Sequence, residues 1–237
     1  MSFKDYLYEA GEAAGKMELV KTPLEKAREY AEKVEKENGR TLQKELPDFD
    51  KNYLKVQKVA DKYGKTKRKD MPVIEDYQVK EFQTRLKKGF LDVDKPWSKE
   101  TNTKNPFPEG LSGEEAKHFL KAGIKRYDGS TPDDKVNASM KQVKVGDLIP
   151  IQKQIYFDKS MKATADFGRE GTTKFLQNSP FIASSDLAII DGHHRWLSAN
   201  LIDPEMKVPV LVIDMPIKDL LPLSKAYGDA LGNERNK

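Results

Sequence analysis

The segment with the most chemistry in the fewest residues is Ile189-Ile190-Asp191-Gly192-His193-His194-Arg195. An apolar run that reads as a buried strand ends at an acid. A glycine then turns the chain, and two imidazoles and a guanidinium open what reads as a helix. Such a turn suits a phosphate. The first N–H groups of a helix have no intrahelical acceptor, the positive end of the helix dipole lies there, and an Arg fork with imidazole donors adds charge-assisted hydrogen bonds. Gly192 lets the backbone come close to a ligand. The same residues have a plainer reading, in which Asp191 caps the helix and His193 and His194 fill surface, since neighbouring helical residues point in different directions. A zinc centre is disfavoured, because no cysteine and no suitable further histidine completes it.

The elements that must position this turn begin at about Ala138, where the texture changes to short β-rich runs. Met140, Gln142, Val143 and Val145 predict a strand leading into Leu148-Ile149-Pro150-Ile151. Phe181-Ile182-Ala183, the turn Ser184-Ser185-Asp186 and Leu187–Ile190 read as a hairpin, and Val208–Ile213 as a further strand. A helix is expected from His193 to about Leu201 and another from about Ile217 to Tyr227, in spite of Pro222. Phe167-Gly168 and Thr172-Thr173 are expected as a mobile cover over the mouth of the site, with Lys153, Lys159 and Lys162 adding charge around it.

Upstream the chain reads as helices separated by punctuation. Thr22-Pro23-Leu24-Glu25 predicts a helix start with Thr22 as cap and Pro23 in the first turn, and Gly39 its end. A second helix is expected over about Asp50 to Tyr63, stopped by Gly64, and a third over Asp76 to Lys88, with Val79, Phe82 and Leu86 on one face. Lys65-Thr66-Lys67-Arg68-Lys69 reads as a solvated linker, with a phosphate-backbone contact as the alternative. Phe90 to Pro108 reads as an extended loop with Trp97 as an anchor. Ser112 and Glu115 predict a capping box for a helix that ends at Gly123, on which His118 is an ordinary surface or boundary residue. The expected organisation is a helical region over 1–70, a helical and loop connection over 71–137, and a small mixed-sheet domain over 138–237. The fold class is α+β.

Val143-Lys144-Val145-Gly146-Asp147-Leu148-Ile149-Pro150, then Gln152 and Gln154, then the strand into Asp191-Gly192-His193-His194-Arg195-Trp196, resembles the ParB/sulfiredoxin superfamily over roughly the last 95 residues. The resemblance implies a nucleotide site in which Gly192, His193, His194 and Arg195, with Gln152 and Gln154, surround the phosphates. It implies ATP or another nucleotide as ligand, Asp191 as base or as holder of a magnesium ion, and His193 and His194 beside it in catalysis. The Asp-Gly-His-His-Arg form is most similar to the free-serine kinases of that superfamily. Sulfiredoxin activity is excluded, because its motif needs a cysteine where this chain has His193 and the chain has none. Only a short tail follows Tyr227, which argues against the DNA-binding domain of the partition proteins. The glutamate that the kinases use as base has Gln152 and Gln154 in its place, and an amide cannot take a proton from a hydroxyl.

A second resemblance concerns Phe3-Lys4-Asp5-Tyr6-Leu7-Tyr8-Glu9-Ala10, which is similar to the capsid-targeting sequence of internal head proteins of large tailed phages, cut after Leu-x-Glu. It implies a targeting segment over 1–9, a phage scaffold or capsid as partner, and a place in the virion interior.

Across 237 residues, 42 Lys and Arg face 38 Asp and Glu, a net charge of +4 that permits nucleic-acid binding without indicating it. No run is apolar and long enough to cross a bilayer, and the N-terminus lacks a secretory signal, so the expectation is a cytoplasmic protein with no membrane partner. Three functions compete. The first is a nucleotide-dependent phosphotransferase or nucleotide hydrolase acting on a small hydroxyl substrate. The second is a phage virion protein with a binding or structural role. The third is a DNA-binding or nuclease-type ParB-like protein.

Overall fold

The computed structural model describes residues 16–91, 93, 110–125 and 135–235. Among them the helices of ten or more residues are α1 (Leu24–Glu37), α2 (Phe49–Tyr63), α3 (Val79–Lys88), α4 (Gly113–Lys125), α5 (Phe157–Leu176), α6 (His193–Ile202) and α7 (Ile217–Ala230). The strands are β1 (Ala138–Lys144), β2 (Phe181–Ala183), β3 (Ile189–Asp191) and β4 (Lys207–Ile213). They form one mixed sheet in the order β1-β4-β2-β3, and a mostly helical N-terminal region precedes them in the chain. The fold is α+β, as expected. The expected hairpin is present, with β2 and β3 antiparallel, Ile182 opposite Asp191 and Ala183 opposite Ile189. The segment from Phe3 to Ala10 and Trp97 lie outside the described residues, as does the His118 side chain.

The chain packs as two compact units. The first gathers the described residues of Met1–Lys67, Gln142–Phe181 and Gly192–Val210. The second gathers those of Arg68–Lys141, Ile182–Asp191 and Leu211–Lys237.

In the first unit α1 and α2 bury Ala27, Ala31, Phe49, Tyr53, Val56 and Ala60, the three-to-four spacing that a helix turns into one face. Tyr30, Phe49 and Tyr53 meet Phe157 edge-on at ring separations of 5.3 to 6.0 Å. Thr22 does not cap α1. Its hydroxyl donates to Glu18 O at 2.9 Å, and Pro23 holds the cap position in an extended conformation, because a short 3-10 turn at Leu19–Lys21 occupies Thr22 first.

The largest departure from the expected elements is α5. Phe167-Gly168 and Thr172-Thr173 belong to this helix, and its kink, not to a mobile cover. Gly168, at φ 65 and ψ 177, breaks the helix in two. The backbone groups released there are taken by side chains. The Glu45 carboxylate accepts the Arg169 N–H at 2.6 Å, and Arg40 donates to Thr164 O at 3.2 Å and to Glu35 at 2.9 Å. The Thr172 hydroxyl donates to Ala163 O across the kink at 3.0 Å.

In the second unit Val79, Phe82 and Leu86 of α3 face a core that includes Phe119, Ile182, Ile190, Leu211, Leu220 and Tyr227. Phe82 stacks on Tyr227 at 4.5 Å. The Ser112–Glu115 box forms, with Ser112 N–H donating to the Glu115 carboxylate at 2.8 Å and Glu115 N–H to the Ser112 hydroxyl at 3.3 Å. Gly123 does not end α4, which continues to Lys125. Pro222 is carried inside α7 because Leu220, Leu223, Ala226 and Tyr227 bury one face of the helix on both sides of it.

Candidate functional site

Asp191 ends β3, and Gly192 turns the chain with φ 112 directly into α6. No side chain fits at Gly192: a Cβ there would lie 2.6 Å from the Phe181 ring, which is fully buried. Trp196 N–H donates to Gly192 O at 2.7 Å and closes the first helical turn. The first-turn N–H groups ahead of it are those that have no carbonyl of their own helix to bond. Arg195 lies in this turn and is 4% exposed, with its guanidinium carbon 5.2 Å from the centre of the Phe181 ring. A cation held over an aromatic face away from water gains about 1–2 kcal/mol. Phe181 therefore serves both the glycine and the arginine. Nothing in its sequence position marks it for that role.

The two histidines point apart, as neighbouring helical residues do, yet reach the two ends of one loop. His193 Nε2 accepts the N–H groups of Ile151 at 3.2 Å and Gln152 at 3.1 Å. His194 Nε2 accepts the N–H of Tyr156 at 3.2 Å, with the two rings stacked 6.1 Å apart. A ring nitrogen that accepts a backbone proton carries none of its own, so in this arrangement neither Nε2 is a donor for a phosphate oxygen or a ready acceptor for a substrate proton.

That loop, Ile151 to Tyr156, is also pinned from outside. Thr66 bridges it at Gln152, donating to Ile151 O at 2.9 Å and accepting from Lys153 N–H at 2.7 Å. Glu18 bridges it at Tyr156, flanked by Leu19 N–H to Ile155 O and Phe157 N–H to Met17 O, each at 2.8 Å. Gln152 is buried, and its side-chain amide donates to the Gln154 carbonyl. Neither glutamine offers a base. Lys153 is exposed on the loop, while Lys159 and Lys162 are half-buried on α5.

Gly192, His193, His194, Arg195, Gln152 and Gln154 thus fall in one unit, joined through the loop. Asp191 itself is counted with the second unit. Among the described residues no group of three or more His, Asp or Glu side chains is placed to hold a metal ion. No helix among the described residues is long and apolar enough to cross a membrane.

No family model matches the chain, and neither the curated proteins nor the solved structures compared with it give a match.

Proposed function

We propose that the Asp191–Arg195 turn is the phosphate-binding turn of a nucleotide-binding protein of ParB/sulfiredoxin type, with ATP or a related nucleotide as ligand. The observation that carries this reading is the left-handed Gly192 opening α6, with the buried Arg195 in its first turn. The first-turn N–H groups and the positive end of the helix dipole lie in the turn that carries Arg195, a combination that supports binding of an anionic phosphate. In this reading His193 and His194 are positioning residues that hold the loop beside the turn. Phosphoryl transfer to a small hydroxyl, or nucleotide hydrolysis, then falls to Asp191, the one carboxylate of the motif, with magnesium brought by the nucleotide.

Calorimetry with ATP, ADP and CTP, with and without magnesium, tests the reading on the wild type and on Arg195→Ala, with phosphate release followed in the same samples. Binding that Arg195→Ala abolishes supports it, and turnover in the wild type makes the protein an enzyme. Absence of binding by all three nucleotides rejects it.

A second reading is favoured by the histidine bonds themselves. With both Nε2 atoms spent on backbone N–H groups, the motif serves as a structural clamp in a binding or virion protein. In that case His193→Ala loosens the loop and no nucleotide protects it.

A further inference from the structure

Helix α2 carries lysines at positions 51, 55, 58 and 62. At about 100° per residue these spacings of four, three and four put all four within a sector of about 60°, over a length of about 16 Å. All four side chains are exposed, and the face opposite them, Asn52, Tyr53, Val56 and Ala60, is buried in the first unit. Lys65, just past the helix, is exposed as well and folds back to Asp61 O at 2.8 Å.

Among the described residues none of these four ammonium groups has a carboxylate within ion-pair distance. Asp50 is bonded to Arg28, and Glu205, whose carboxyl is lowered mainly by Lys144 and slightly by Lys55, is bonded to Lys144. On other helices several exposed lysines pair with a glutamate three or four residues away, as in Lys33–Glu37, Lys117–Glu114 and Lys174–Glu170. Along the stripe itself the lysines three and four apart are like charges, which oppose helix formation; within the helix only Asp61, three residues after Lys58, sets an opposite charge at that spacing from one of them. A stripe that works against its own helix is explained by an anion outside it.

A polyanion of regular charge spacing fits a straight row of cations. A lipid surface fits poorly, because the apolar face of α2 is in the core and only Leu54, half-exposed, borders the stripe. A single strand also fits poorly, because it is gripped by rings that stack on its bases. The ring at this end, Tyr63, lies to one side with the Lys62 ammonium 4.7 Å above it. We propose that this face of α2 binds the phosphodiester backbone of duplex nucleic acid without reading its sequence. The inference is independent of the phosphate turn.

The test is fluorescence anisotropy of the full chain with a labelled 20-base-pair duplex of arbitrary sequence, titrated at salt concentrations from 25 to 200 mM. Four phosphate contacts give a log–log salt slope of about −3.6, so affinity falls on the order of a hundredfold between 50 and 200 mM. The quadruple Lys51/55/58/62→Gln variant is expected to lose most of that slope and to melt no lower than the wild type. The corresponding Lys→Arg variant keeps both affinity and slope, and a Lys26/33/36→Gln variant of α1 binds as the wild type does. The proposal is overturned by absence of binding at 25 mM salt, by a wild-type slope shallower than about −2, or by equal loss in the α1 variant. Tighter binding to a single strand or to phosphatidylserine vesicles overturns it too. If the Gln variant fails to fold, the wild-type slope and the Arg variant decide.

Discussion

At the scale of single residues, His193 and His194 commit their Nε2 atoms to backbone N–H groups of the loop, beside the turn formed by Gly192 and Arg195. His193→Ala removes the acceptor of two N–H groups, at half-buried Ile151 and buried Gln152, at a cost of about 1–3 kcal/mol. Hydrogen exchange at those two amides is expected to accelerate, while His194→Ala accelerates exchange at Tyr156. Gly192→Ala is expected to cost about 1–3 kcal/mol in denaturant unfolding, because φ 112 suits glycine and the added methyl meets the buried Phe181 ring. Gly39→Ala is the control: its φ is also positive, at 69, but nothing lies within 4 Å, and its cost is about 1 kcal/mol or less. The glycine's role was legible in the sequence because an acid–glycine–basic run between strand and helix has few other uses. The role of the histidines was not, because their partners are backbone N–H groups some forty residues upstream, and an N–H carries no sequence signature.

At the scale of elements, α1 through α4 and the hairpin could be placed from periodicity and punctuation, whereas α5 could not. Two glycines and adjacent threonines inside Phe157–Leu176 lower its helix propensity, and the Glu45 and Arg40 bonds that rescue the kink come from more than a hundred residues away. The brace leads to a pH effect. Burial of Glu35, opposed by Arg40 and reinforced by Glu45, pushes its carboxyl above the ordinary carboxylate range. A folded-state value above the unfolded one means that the folded protein binds the proton more tightly, so this group favours folding at low pH. Its contribution is lost as pH rises through the raised value. Urea unfolding of Glu35→Gln across pH 4 to 7 is expected to show that part of the pH dependence removed, with the wild type declining relative to the variant as pH rises. Parallel curves would assign the brace no such role.

At the scale of the whole molecule, charge illustrates what composition hides. A net charge of +4 in 237 residues points to no partner, and Lys65–Lys69 is the conspicuous basic cluster along the chain. The helix sorts Lys51, Lys55, Lys58 and Lys62 onto one side, and a balanced chain acquires a cationic edge. The spacing was present in the sequence, but its meaning depends on which face of α2 the core takes. The two-unit grouping, each unit built from three separated stretches, likewise follows from long-range pairing and not from local texture. Within the first unit the turn at Gly192 to Arg195 is proposed to receive a phosphate. Amide hydrogen exchange with and without saturating ATP tests it most directly. Exchange is expected to slow at His193, His194 and Arg195, and the slowing to be lost in Arg195→Ala. Unchanged exchange at those three amides under saturating nucleotide would contradict it.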